Sequence, residues 1–189
     1  WKGVVLKDAL QETLKAAPAP MREGKPGFDV GFYVEAHIEQ GPRLENAGKT
    51  IGVVTAIQGS RRYIVEIGGE EAHAGTTPRA ARKDAFAAAT RIAAAMYEAT
   101  TDADDTLRFT IGRVEVHPGS PNTVPGKATF TIDMRHPSND VLEEHEKKPK
   151  EIVTRRARPC TAGIERVTNV APTDFDPKVI ALVRAKAAA

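Results

Sequence analysis

The 189 residues carry 41% hydrophobic and 28% charged side chains and a formal net charge of +2, the balance of one soluble folded domain or two small ones. Lys and Arg are scattered among nearly as many acids, which argues against a nucleic-acid-binding face, because that needs basic residues gathered on one surface. No apolar run approaches the ~20 residues of a membrane span, no signal peptide opens the chain, and the single cysteine, Cys160, excludes an internal disulfide and suits a reducing, cytoplasmic setting.

Val5, Leu6, Ala9, Leu10 and Leu14 recur at helical spacing and predict a helix over 3–16. A second helix-like run, "DPKVIALVRAKAAA", closes the chain without a Gly or Pro stop, and both ends are expected to be cuts through a larger protein. "PAPMREGKPG" is a Pro/Gly loop. Residues 28–38 are dense in apolar side chains and predict a strand buried on both faces. "QGPRLENAG" predicts a turn with a short helix stopped at Gly48. "TIGVVTAI" and "RRYIVEIGG" predict strands hinged at "QGS", with Tyr63, Val65 and Ile67 alternating.

The polar loop "AHAGTTPRAARK" leads into a helix from about residue 82 to 99, with Phe86, Ala89, Ala93, Met96 and Tyr97 as its apolar stripe. "TLRFTIGRVEV" reads as a strand whose alternation slips at Gly112, which predicts a bulge. Beyond the loop "HPGSPNTVPGK", the strand "ATFTIDMRH" alternates through Phe130, Ile132 and Met134. "SNDVLEEHEKKPKEIVTRRA" predicts a helix capped by Ser138 and kinked or split by Pro149. "AGIERVTNV" is a last strand.

From Arg61 to Val170 the order is β-α-β-β-α-β, the two split crossovers of a ferredoxin-like sandwich with its helices on one face of an antiparallel sheet. The expected fold is α/β with an α+β lid. A ferredoxin-like domain over 59–170 is inserted into an incomplete α/β domain made by 1–58 and 171–189.

Five histidines are candidates for chemistry, but no two have the i, i+4 spacing of a helical zinc site, and CxxC is absent. GxSxG, P-loop and GxGxxG motifs are absent too. His145, inside "EEHEKK", reads as a solvated helix-face residue and His117 as a loop residue. His37, in "VEAHIEQGP", ends the predicted buried strand, where open α/β sheets place ligands. Its imidazole suits zinc, manganese or nickel, although a satisfied core histidine is the commoner meaning of such a position. His73, in "EEAHAGTTP", lies in a small-residue loop that permits close backbone approach; capping of the next helix by Thr76 or Thr77, with Pro78 in its first turn, explains the neighbours but not the histidine. Asn122 sits in a long connection between two strands, as a ligand contact or as part of a Pro/Gly turn. Arg135 ends a strand with its guanidinium at the rim, suited to bidentate capture of a carboxylate or to pairing with Asp133.

Together "HIEQGPRLE", "IGVVTAIQG", "AHAGTTPRAARKDA", "NTVPGKATFTIDMRHP" and "DFDP" resemble the amidase/hydantoinase/carbamoylase family of the dinuclear-metal aminoacylases and peptidases. The resemblance covers essentially the whole chain. It implies a catalytic α/β domain with two divalent metals (zinc, manganese or nickel) and an inserted lid that makes a homodimer. It further implies His37 as a metal ligand and Gln40 as a substrate contact beside it. His73 would face the oxyanion in the neighbouring subunit's site, and Asn122 and Arg135 would hold the substrate's carboxylate and nearby polar atoms. The reaction implied is hydrolysis of a C–N bond in N-carbamoyl (ureido) amino acids, with allantoate or N-acyl amino acids as alternatives. The family's upstream His-x-Asp and Glu-Glu ligand pairs and its last metal histidine have no counterpart here. The chain alone is therefore expected to be inactive and to bind metal weakly or not at all. A non-catalytic dimerisation or binding module is the reading from a different class.

Overall fold

The computed structural model describes residues 3–17, 27 and 29–187, in two compact units, Trp1–Arg43 and Leu44–Ala189. In the first unit, helix α1 (Leu6–Ala16) starts at Val5, which supplies no side-chain cap. Of the Pro/Gly loop only Gly27 is described, and Phe28 lies outside the described residues.

The strand expected over 28–38 is not formed: residues 29–38 carry no strand, and Val30, Phe32, Tyr33, Val34 and Ile38 are exposed. Apolar density alone does not make a strand, which persists only where its N–H and C=O groups meet a neighbour's. None of the described residues pairs with this segment. His37 therefore stands on an exposed segment outside any strand rather than at the end of a buried one.

The short helix α2 (Arg43–Asn46) ends where the sequence predicts. Gly48 adopts φ +61°, and the N–H groups of Gly48 and Lys49 return to the carbonyls of Glu45 (3.0 Å) and Leu44 (2.8 Å). Of the strand expected from Thr50 only β1 (Ala56–Ile57) forms. It pairs antiparallel with β8 (Thr173–Asp174), Ala56 opposite Asp174, so the entry to the next domain lies beside its exit. Helix α6 (Pro177–Ala187) follows.

Between them run β2 (Gly59–Gly68), β3 (Ala72–His73), α3 (Ala85–Ala99), β4 (Arg108–His117), β5 (Thr123–Val124), β6 (Lys127–His136), α4 (Asn139–His145), α5 (Lys147–Arg156) and β7 (Thr161–Val170). The four long strands form one sheet in the order β4-β6-β2-β7, every neighbour antiparallel. This is the predicted ferredoxin-like topology. The predicted bulge is present between Ile111 and Arg113, and a second offsets β2 from β7 at Arg62/Tyr63.

The core is built on one face of this sheet. Tyr63, Val65 and Ile67 of β2 and Phe130, Ile132 and Met134 of β6 are buried, packed with Ala88, Ile92 and Met96 of α3 and with Leu142 and Val153. Helix α3 begins three residues later than expected, at the cap its sequence offers best: Asp84 Oδ1 accepts the Ala87 N–H at 2.9 Å. Thr77 and Pro78 instead lead into a short 3₁₀ turn, Arg79–Ala81. The helix is also rotated from the predicted stripe, burying Ala85, Ala88, Ala89, Ile92 and Met96. Small side chains let its axis approach the sheet, and Phe86 (44% exposed) and Tyr97 (50%) move to its flank. There Tyr97 meets Phe109 edge-on at 5.1 Å, and its hydroxyl accepts the Ile111 N–H (3.2 Å).

Ser138 caps α4 through the Val141 N–H, and the helix splits at Glu146 so that Pro149 falls in the first turn of α5, where no intrahelical donor is missed. That break carries His145 inward. It is 6% exposed, with Nδ1–H donating to the Val141 carbonyl at 3.0 Å, so the solvated-face reading of His145 is corrected. His117 is the last residue of β4, opposite Lys127, rather than a loop residue. Buried Arg61 ties the break to the sheet: Nη1 donates to the Val170 carbonyl (2.9 Å), Nη2 to Asn139 Oδ1 (2.7 Å), and Nε lies 3.5 Å from Glu146 Oε2. Among the described residues no helix is long and apolar enough to cross a membrane.

Candidate functional site

Two of the predicted site residues come together at one end of the sheet. The two-residue strands β3 and β5 pair Ala72 with Val124 and His73 with Thr123, and the Ala74 N–H continues the ladder to the Asn122 carbonyl at 2.9 Å. The junction is braced from both sides, by Gly69 N–H on the Gly126 carbonyl (2.7 Å) and by Ala85 N–H on the Pro125 carbonyl (3.0 Å). His73 is exposed, and its Nδ1 accepts the Gly75 N–H at 3.0 Å. The neutral ring then carries its proton on Nε2, as an outward donor. Asn122 is exposed as well; its Oδ1 accepts the Ser120 hydroxyl at 2.6 Å, which leaves the Nδ2 hydrogens as the presented donors. The adjacency of these two segments is not visible in the sequence, because the ladder joins stretches about fifty positions apart.

Arg135 lies at the opposite end. Eight positions of β6 separate it from Lys127, which at about 3.4 Å per residue is roughly 27 Å. Here the bland alternative is realised: Nε and Nη2 of Arg135 donate to Asp133 Oδ1 (3.1 Å) and Oδ2 (2.8 Å), and Arg62 Nε reaches the same carboxylate at 3.2 Å. Hydrogen bonding from Arg135, with the charges of both arginines, holds the Asp133 carboxyl below the usual carboxylate range against the opposing effect of burial. The pairing raises Arg135 further in turn. Arg108 stands opposite Arg135 on β4, so this rim of the sheet carries three guanidinium groups and suits an anion. The Nη1 edge of Arg135 remains turned from Asp133 and can accept a carboxylate.

The remaining two residues lie in the first unit. His37 is exposed, with Nδ1–H donating to the Ile38 carbonyl at 2.6 Å. A metal ligand is commonly oriented in this way, through the nitrogen that does not bind the ion, so His37 fits a single ligand position. Among the described residues no group of three or more His, Cys, Asp and Glu side chains is placed to hold a metal ion. One imidazole is not a dinuclear centre. Gln40 is exposed and holds φ +53°, a conformation uncommon outside glycine and frequent at binding sites.

The sequence and fold also show the kinship of the chain. Residues 55–160 match the peptidase dimerisation domain, and the chain belongs to that family. It is 45% identical over 146 residues, 76% of its length, to allantoate amidohydrolase of Escherichia coli, of which it covers 34%. With N-carbamoyl-L-amino-acid amidohydrolase of Paenarthrobacter aurescens the identity is 34% over 163 residues, 85% of this chain and 40% of that one. An amidase of the hydantoinase/carbamoylase family from Burkholderia vietnamiensis superposes with a TM-score of 0.76 at 41% identity, covering 80% of this chain and 37% of the other. The chain thus spans about a third of the length of the curated relatives it matches.

Proposed function

We propose that this chain is the lid, with flanking segments, of a metal-dependent homodimeric hydrolase that cleaves the C–N bond of an N-carbamoyl (ureido) amino acid, releasing ammonia and carbon dioxide. The observation that carries the reading is the short ladder that sets the His73 and Asn122 segments side by side at one end of the sheet, with Arg135 at the other. An outward Nε2–H on His73 is a donor for the oxygen that gains charge as water adds to a carbamoyl carbonyl. Asn122 Nδ2 holds a neighbouring polar atom, and the open edge of Arg135 holds the carboxylate that every amino-acid substrate carries. Gln40 would contact substrate, and His37 Nε2 would hold one position on a divalent metal pair, zinc, manganese or nickel, which would supply Lewis-acid activation of water.

Roughly 27 Å of sheet between Arg135 and the His73–Asn122 end is too far for one small substrate to touch both within one lid. The two ends therefore serve two sites. Among the described residues, strand β4 has β6 on one side and no strand on the other. Antiparallel docking of that edge on its two-fold mate sets the Arg135 end of one lid alongside the His73 end of the other.

Allantoate is the second reading, itself a ureido carboxylate, and the higher identity to an allantoate amidohydrolase, 45% against 34%, favours it. A substrate panel on the complete enzyme decides. Ammonia released from N-carbamoyl amino acids or allantoate is the expected result, and their ratio separates the two readings. Turnover of N-acyl amino acids only, or of nothing, would leave the aminoacylase or the non-catalytic module.

A further inference from the structure

The loop that carries His73 is held by a side chain to which neither the sequence motifs nor the family likeness gives a role. Arg82, half-buried, donates from Nε to the Thr77 carbonyl (2.9 Å) and from Nη2 to the Ala74 carbonyl (2.7 Å). Thr77 N–H in turn returns to the His73 carbonyl at 3.1 Å. The Ala74 peptide is consequently held at both ends, its N–H by the Asn122 carbonyl and its C=O by Arg82. One guanidinium braces the turn between the two candidate substrate contacts. Bonds from a charged donor are stronger than those between neutral groups, and a planar fork meets two carbonyls with little further loss of freedom.

Gly75 completes the arrangement. Its N–H donates to His73 Nδ1 at 3.0 Å, and a Cβ built on it would lie 3.1 Å from His73 Cε1 and 3.4 Å from Nδ1. Its backbone is outside the left-handed region, so alanine is conformationally admissible there. What the absent methyl spares is the imidazole ring.

We infer that Arg82 and Gly75 are positioning residues for His73, which together set the tautomer and the aim of its imidazole, Nδ1 as acceptor inward and Nε2–H as donor outward. Arg82 fixes the turn that brings the Gly75 N–H to Nδ1; Gly75 supplies that donor and leaves room for the ring. The catalytic consequence rests on the function proposed above, whereas the tautomer does not.

Two measurements test this. In the 189-residue chain labelled with ¹⁵N-histidine, long-range ¹⁵N–¹H spectra at about pH 8, alkaline of the free-histidine range, report the tautomer, with His73 assigned by its loss in His73→Gln. The Nε2–H form is expected to dominate. Arg82→Met and Gly75→Ala each shift it towards a mixture, and Arg82→Lys, which keeps one donor, returns part of the way. A dominant Nδ1–H form, or variants with the wild-type pattern, would overturn the inference. In the complete enzyme, Arg82→Met is expected to lower kcat about 10- to 100-fold with KM held within about threefold, the signature of a misaimed group, with partial recovery in Arg82→Lys. Should Arg82→Met unfold, as its thermal midpoint would reveal, Gly75→Ala leaves the guanidinium bonds intact and carries the same kinetic expectation. Full kcat in the folded variants, with His73→Gln inactive, refutes the positioning role; full kcat in His73→Gln refutes the proposed function instead.

Discussion

If His73 and Arg135 of one lid serve different active sites, two inactive enzymes should repair each other. In the complete enzyme His73→Ala and Arg135→Ala are each expected to abolish turnover. The register of β6 separates the two residues by roughly 27 Å, whereas an extended arginine reaches about 7 Å and a ureido acid spans about as much, so one lid cannot bring both to one substrate. A dimer with one subunit of each kind then holds one doubly impaired site and one intact site. Random reassortment makes half the dimers mixed, each with one of its two sites restored, so about a quarter of wild-type activity should return. The assay is ammonia release after the two variants are co-expressed, or mixed under conditions that exchange subunits, with exchange verified by a tag on one of them. Activity that stays at the level of the separate variants, with mixed dimers demonstrably present, would refute the assignment of the two ends to two sites.

Two further outcomes concern the domain built on the β4-β6-β2-β7 sheet. Phe130 is 1% exposed at the centre of the core, so Phe130→Ala should cost about 3–5 kcal/mol. With an unfolding entropy of about 0.3 kcal/mol/K for a unit of this size, the midpoint should drop by about 10–17 °C by calorimetry; a drop below a few degrees would contradict the packing described. Asp133 has a folded-state pKa lowered chiefly by its hydrogen bonds from Arg135. Its contribution is present above the ordinary carboxylate pKa and is lost as pH falls through the depressed folded value. Asp133→Asn should therefore be less stable than wild type at neutral pH by about 1 kcal/mol or less, given its partial exposure, with the gap closing on acidification; a gap that widens in acid would reverse the sign argued here.

Much of the sheet domain was legible because its signals are local. Alternation at Tyr63, Val65 and Ile67 and at Phe130, Ile132 and Met134 marks the buried face of two strands whatever their neighbours, and the slip at Gly112 marks a bulge. Pro149 splits a helix wherever that helix lies. The stripe of α3 was misjudged for a non-local reason: which face of an alanine-rich helix turns inward depends on how closely the sheet can be approached, and alanines at 85, 88 and 89 allow more than Phe86 and Tyr97 do. His145 was misjudged because the break at Glu146 is anchored by residues far away in sequence, Arg61 on β2 and Arg166 on β7.

The candidate site divides along the same line. Sequence by itself determined which residue types stand at positions 37, 40, 73, 122 and 135, since imidazole, amide and guanidinium chemistry belongs to the side chain wherever it is placed. Tertiary structure alone decided that His73 adjoins Asn122, that Arg135 is paired with Asp133 at the far rim, and that Arg82 holds the turn between the first two. These are distances between chain segments, and they exist only once the β3–β5 ladder and the sheet have closed the long loops between them.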